Sequence, residues 1–520
     1  MIDGPSDHLS ERIAAAWAPE NAGRLLHLLA SRMQEHFDSV MHSQERVLNW
    51  HHPQENISAA TAQLQAGNNL PGALEGTDLE QRFLSLMNDI LSHGQNIHDP
   101  RYIGHQVPAS SPVAAMFDAL GTLTNQAMAI YEMGPWGTAV ERALVDELGS
   151  LFGWNRGDFG GLMTHGGSLA NLTAMLTARN VVFPQSWERG FGKNADGTSA
   201  LTPVLLVHAD VHYCLTRAAG MLGLGTNNVI RLPLDADRRI DVAALDDILR
   251  DLQERGQPVL AVCACACSTP TGVFDRLHDI ADLCQRYGVW FHVDAAHGGP
   301  LIFSDRYRHL LSGIERADSF VCDAHKMMFV PALCAFVFYR KREHLFAAFQ
   351  QEAPYLFDPS QPEDTSMYDG GRMSVECTKR SAFGLWGLWS LFGINLFRDL
   401  IDRVCGLAER FYHRLSAAED FLPLHEPECN IVCFRYIPES MREMSLEDLG
   451  QFNRDVRREL IHSGEFYIVQ TTLAGNGTLR VAVMNPLTSE THLDALMQAI
   501  REAGDRVLQR RSIAPALVIG

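Results

Sequence analysis

Between about residues 102 and 339, short unbroken apolar runs alternate with segments whose apolar residues recur every three or four positions. That alternation predicts a mostly parallel sheet with helices on its faces. The strand-like runs are VLLV at 204–207, VLAVCACAC at 259–267, VWFHV at 289–293, SFVC at 319–322 and CAFVFY at 334–339. Among the helices, Val140, Leu144, Leu148 and Leu151 share one face, as do Leu245, Ile248, Leu249 and Leu252, with Asp241 placed to cap the latter. Residues 1–100 read as a helical arm with polar breaks around 51–56 and 67–76. Beyond the large segment, Phe397, Ile401, Val404, Ala408, Phe411 and Leu415 mark one long helix. It leads into an α+β module with a strand at 430–436, a helix at 446–461, strands at 466–471 and 478–484, and a helix at 490–504. The expected organisation is an arm (1–100), a large α/β domain (101–395) and a C-terminal α+β domain (396–520).

Composition narrows what such a chain can do. Its 520 residues are 46% hydrophobic and 20% charged, which suits a globular protein and excludes disorder as the main state. A net charge of −19 without a basic stripe argues against a nucleic-acid partner. The 11 cysteines are too sparse for a disulfide scaffold, and the first twenty residues lack the basic and apolar regions of a leader. A cytoplasmic protein with no membrane partner is expected. Cys263, Cys265 and Cys267 alternate along one predicted strand, so their row is expected to pack in the core, and no metal is expected there. HExxH, paired CxxC and GxSxG motifs are missing, which disfavours a metal-dependent or serine hydrolase.

Three segments could carry chemistry. In THGGSLANLTAMLTARN (164–180), Gly166 and Gly167 give a sharp turn and Ser168 is a natural N-cap, so a helix start offers unpaired amides to an anion. In FHVDAAHGGP (291–300), Asp294 ends an apolar run, at the edge where open α/β sheets hold ligands. In DSFVCDAHKMMFVPALCAF (318–336), Lys326 is followed by Met327, Met328 and Phe329, an environment expected to lower its pKa and leave a usable amine. One ligand suits all three: pyridoxal 5'-phosphate, with its phosphate on the 167/168 helix start, its ring nitrogen at Asp294 and its aldehyde on Lys326.

HVDAAHGG and DAHKMM, in that order, resemble the two most specific signatures of the group II pyridoxal-phosphate decarboxylases, and the likeness runs from about residue 101 to 486. That family includes glutamate, aromatic amino acid, cysteine sulfinate and 2,4-diaminobutyrate decarboxylases. The resemblance implies a fold-type-I, aspartate-aminotransferase-like α/β large domain and a homodimer with shared active sites. It implies that Lys326 binds the cofactor covalently, that His325 helps hold the phosphate, and that His212 stacks on the ring. Ala296 would pack under the ring, Ser268 and Thr269 would offer hydroxyls, Gly167 and Ser168 would hold the phosphate, and Asn171, one helical turn after Ser168, is a further cofactor candidate. Residues 352–380 resemble the family's mobile loop, in which Tyr368 matches the proton donor to the α-carbon. Arg480 matches an arginine that meets a substrate carboxylate, and His105 falls in a substrate-pocket segment. His297 stands where several relatives carry an aromatic ring, and ECTKR (376–380) departs from the expected pattern. The implied activity is removal of the α-carboxylate of a small polar amino acid, with aminotransferase or carbon–sulfur lyase chemistry, or an aromatic substrate, as alternatives.

Overall fold

The computed structural model describes residues 9–192, 201–349, 353, 357, 360, 366–376 and 380–513. Within the loop segment expected at 352–380, residues 352, 354–356, 358–359, 361–365 and 377–379 therefore lie outside the described residues, the last three of them in the ECTKR segment.

The chain divides into two compact units. One gathers 1–103, 438–470 and 487–520; the other holds 104–437 and 471–486. This cuts across the expected serial organisation. The helix Asn395–Ala417 belongs to the larger unit, where its face of Phe397, Ile401, Val404, Ala408, Phe411 and Leu415 is fully buried against elements of that unit. In the smaller unit, helices Glu11–Trp17, Pro19–Met41, Pro53–Asn68 and Gly76–Ser92 form the arm. Helices Leu446–Ser463 and Glu490–Ile513 pack on each other, the first through Leu449, Phe452, Val456 and Leu460.

The larger unit is built on a seven-stranded sheet: β1 Gly160–Thr164, β2 Val204–His208, β3 Val229–Leu232, β4 Val259–Cys265, β5 Trp290–Asp294, β6 Ser319–Asp323 and β7 Ala335–Tyr339. Their order is β1-β7-β6-β5-β4-β2-β3, and β7 runs antiparallel to both its neighbours while the β2, β3, β4, β5 and β6 pairings are parallel. The strands read from the sequence are present, so the mostly parallel α/β architecture stands. β4 stops at Cys265, however, so Cys263 and Cys265 lie in the strand while Cys267 lies beyond its end. β5 is central, flanked by β4 and β6, and its last residue, Asp294, sits opposite Cys265. Asp241 caps its helix as expected, accepting from Ala243 and Ala244 N–H at 3.0 and 3.1 Å. The second sheet comprises β8 Phe421–Pro423, β9 Ile431–Tyr436, β10 Val469–Leu473 and β11 Asn476–Ala482, in the order β10-β11-β9-β8.

Candidate active site

The carboxyl ends of β4, β5 and β6, together with the turn after β1, surround a cavity of about 510 Å³, within the usual range of small-molecule sites. Ten residues singled out from the sequence line it: His105, Gly167, Ser168, Asn171, His212, Thr269, Asp294, Ala296, His325 and Lys326.

The turn after β1 feeds the helix Gly167–Val182. Its N-cap is Gly166, not Ser168, which is already inside the first turn, and no side chain caps this end. Gly166 takes φ +102, a conformation that suits glycine, and Gly166, Gly167 and Ser168 all line the cavity, which places the helix start beside it. Gly167 is small for a second reason: a Cβ there would stand 2.6 Å from Asp323 Oδ2. Asn171 points its amide inward to structure rather than to open space, donating from Nδ2 to Gly167 O at 3.0 Å. Its Oδ1 lies 2.9 Å from His292 Nε2, and His292 Nδ1 lies 2.8 Å from Ser319 Oγ. Burial pushes the His292 pKa down to about 4, so the imidazole in this chain is neutral.

Asp294 is almost fully buried at the tip of β5 and accepts the Ala296 N–H at 3.2 Å. Lys326 follows β6 in the short connection to β7. Its Nζ forms an ion pair with Asp323 Oδ2 at 2.9 Å, and Asp323 Oδ1 is buried without a hydrogen-bond partner among the described residues. The depression of the lysine pKa expected from the sequence is reversed in the fold. Burial does disfavour the ammonium, but Asp323 and Asp294 together outweigh it and raise the pKa above the ordinary lysine value. Beside it, His325 Nδ1 lies 2.8 Å from the Cys334 carbonyl and Nε2 lies 3.7 Å from Asp323 Oδ2. His212 is held below the usual histidine pKa, first by burial, with Asp294 opposing and Lys326 reinforcing the shift.

Two expected site residues lie elsewhere. Arg480 is buried outside the cavity lining, donating from Nε to Pro270 O at 3.0 Å and from Nη2 to Thr269 O at 2.9 Å. Tyr368 packs its ring 6.2 Å from that of Tyr131, also outside the lining. Ser268 turns its hydroxyl to Thr271 Oγ1 at 2.8 Å, leaving Thr269 as the lining residue of that pair. Asp323, His165 and Cys267 line the cavity without having been singled out for it. The Asp323–Lys326 spacing was readable as an i,i+3 charge pair. His165, whose Nε2 accepts the Arg380 N–H at 3.2 Å, gave no signal beyond standing beside the glycine turn.

Comparison with known proteins identifies the family of this chain. The family model described as the pyridoxal-dependent decarboxylase conserved domain matches residues 66–437. The acidic amino acid decarboxylase GADL1 of Bos taurus is 30% identical over 464 residues, covering 88% of this chain and 86% of its own. The L-aspartate decarboxylase dtxS4 of Metarhizium robertsii is 27% identical over 428 residues, covering 82% and 83%. The crystal structure of mouse CSAD superposes with a TM-score of 0.84 at 27% identity, covering 94% of this chain and 99% of that one. Oryza sativa TDC with PLP and tryptamine has a TM-score of 0.83 at 21% identity over 94% of this chain and 99% of its own, a likeness of fold.

Proposed function

Because the chain belongs to the pyridoxal-dependent decarboxylase family and is a pyridoxal-phosphate-dependent amino acid carboxy-lyase, we propose that its substrate is a small amino acid with an acidic side chain, of the aspartate, glutamate or cysteine sulfinate type. The observation that carries the site assignment is that Lys326, Asp294, His212 and the helix start at Gly167 open on one cavity. These groups fit the cofactor: a cationic amine, a carboxylate at a strand end, a flat neutral ring and an uncapped helix terminus. Lys326 would hold its aldehyde, Asp294 its ring nitrogen, His212 and Ala296 its two faces, and Gly167, Ser168 and His325 its phosphate, with Thr269 and Asn171 alongside. When bound, pyridoxal phosphate supplies an electron sink for the pair released at the substrate α-carbon.

The chain's own groups set the protonation around that chemistry. Asp323 and Asp294 keep a proton on Lys326 Nζ until the amine is called on to react. His212 stays neutral, so its ring adds no charge against the cofactor. The polar lining from His105, Gln106, His165, Thr269 and His297 suits a short polar side chain better than an indole, and Tyr213 is the one aromatic carbocycle among the lining residues. The names of the GADL1 and dtxS4 relatives support an acidic substrate. Arg480 acts in this reading by fixing the 269–270 turn that borders the cavity.

A homodimer with shared sites belongs to the same proposal. Met116, Leu120 and Leu123 on the helix Pro112–Thr124, Leu391 and Phe392 on the helix Phe383–Phe392, and Trp136 are each more than half exposed. The two helices pack together, and Trp136 and Trp386 meet edge to face, so these side chains form one apolar surface that a second copy would cover. Tyr368, placed against Tyr131 in its own chain, is assigned as proton donor to the neighbouring subunit's cavity. A cytoplasmic location is proposed from ten free, buried cysteines among the described residues, in which no helix is long and apolar enough to cross a membrane.

The experiment is a product screen with the cofactor-loaded protein over the twenty amino acids, cysteine sulfinate and 2,4-diaminobutyrate. The acidic substrates are expected to give the highest kcat/KM. A preference for an aromatic amino acid or for diaminobutyrate overturns the substrate assignment.

A further inference from the structure

Three soft ligand groups meet at the wall of the Lys326 cavity, two of them lining it and the third behind them. Cys267 lies just past β4, His297 lies three residues after Asp294, and Cys429 lies just before β9. All three side chains are buried. The two Sγ atoms stand 3.9 Å apart, and a ring nitrogen of His297 lies within 4.8 Å of both. A tetrahedral ion with metal–sulfur bonds of ~2.3 Å spans two sulfurs about 3.8 Å apart. The thiols thus stand at ligand spacing, whereas a disulfide of ~2.05 Å would require them to close by nearly half that distance.

The imidazole is prepared for the same duty. His297 Nε2 lies 2.7 Å from Asn430 Oδ1, and Asn430 Nδ2 donates to Val483 O at 2.9 Å. With its amide nitrogen committed, Asn430 offers Oδ1 as an acceptor, so Nε2 carries the proton and Nδ1 keeps its lone pair. Nδ1 is buried with no hydrogen-bond partner among the described residues. Metal-ligating histidines are commonly oriented by such a contact from the opposite ring nitrogen.

We propose that Cys267, Cys429 and His297 form a binding site for zinc(II) in the wall of the substrate cavity. On binding, the two thiols each lose a proton to solvent and form zinc–sulfur bonds, while His297 donates its lone pair unprotonated. A dication with two thiolates and a neutral imidazole carries no net charge, which a buried location tolerates far better than a free ion. Cys267 and His297 line the cavity and Cys429 does not, so the fourth coordination position falls on the cavity side and takes a water.

The test uses tag-free, cofactor-loaded protein equilibrated with zinc chloride, dialysed, and measured for bound zinc and for X-ray absorption at the zinc edge. One zinc per chain is expected, with two sulfur neighbours at ~2.3 Å and nitrogen or oxygen neighbours at ~2.0 Å. Cys429→Ser is expected to weaken binding at least tenfold, while Cys284→Ser, which alters a buried thiol on the helix Leu277–Tyr287, leaves it unchanged. A wild-type protein that retains no zinc, or retains it with no sulfur neighbour, overturns the proposal. The wild-type spectrum decides the matter even where Cys429→Ser does not fold.

Discussion

The carboxylate of Asp323 serves two neighbours at once: it holds Lys326 Nζ at 2.9 Å, and it fills the space where any side chain on Gly167 would have to start. The amine and the anion-binding turn are therefore positioned by one group, and disturbing either is felt by the other.

Gly167→Ala places a Cβ 2.6 Å from Asp323 Oδ2 and within 2.7 Å of Oδ1. Overpacking of this kind costs about 1–3 kcal/mol. The variant is expected to lose cofactor on dialysis that the wild type retains, measured by absorbance of the protein-bound cofactor; full retention would contradict the shared positioning.

Asp323→Asn removes one of the two charges that outweigh burial at Lys326. A charge-assisted bond of this sort contributes about 1.5–3 kcal/mol, less here because the lysine side chain is partly exposed. The raised lysine pKa means that the stabilisation is complete below the ordinary lysine value and is lost as pH rises through the raised one. The variant should therefore show a lower urea midpoint than the wild type at pH 7 in the cofactor-free state, with the gap closing under strongly alkaline conditions.

His212 is neutral at pH 7 because burial holds its pKa down. Protonation of this ring should not limit kcat/KM between pH 8 and about 6.5, the ordinary histidine value. Loss from this group is expected only at lower pH. His212→Phe should be less active and should lack that acid limb. An unchanged acid limb in the variant would assign it to another group.

His292 carries a pKa of about 4 in the fold against about 6.5 unfolded. The unfolded chain binds more protons between those values, so stability falls as pH drops from 6.5 toward 4, by about 3 kcal/mol in all. Urea midpoints at pH 7, 6 and 5 should fall more steeply for the wild type than for His292→Gln.

The apolar surface on the helix Pro112–Thr124 predicts that Leu120→Glu with Leu123→Glu yields monomers by light scattering. With Tyr368 assigned to the neighbouring subunit, the monomer should also lose amine production.

The parts of this protein that were legible in its sequence are those where side-chain pattern and backbone demand coincide. The runs ending in Asp294 and preceding Lys326 are continuous because β5 and β6 are buried on both faces, and such strands announce themselves. β1 did not, because Gly160 and Gly161 interrupt the apolar run that marks a strand. A Cβ on Gly161 would stand 3.0 Å from Phe338, Val145 and the Val337 carbonyl, so close packing dictates glycine in a strand there. Ser168 was taken for the cap because hydroxyls favour that position. The N-cap is Gly166 at positive φ, so the helix starts two residues earlier than a Ser168 cap allows. The Lys326 pKa was misjudged because its apolar neighbours in sequence were weighed and Asp323, three residues earlier, was not, while Asp294 comes near it only through the sheet. Arg480 has no sequence neighbour that foretells its two carbonyl partners. The grouping of 1–103 with 438–470 and 487–520 is likewise a property of the folded chain alone.

The cavity wall draws on residues from 105 to 333, and no two of Gly167, His212, Asp294 and Lys326 come from the same strand–helix repeat. No fragment of the chain can own the binding site in advance. Vitamin uptake should accordingly be an all-or-none reporter of maturation, and loading should shift the folding equilibrium by mass action, by about 2.7 kcal/mol at a hundredfold excess over the dissociation constant. A cell short of the vitamin would then lose enzyme as well as turnover.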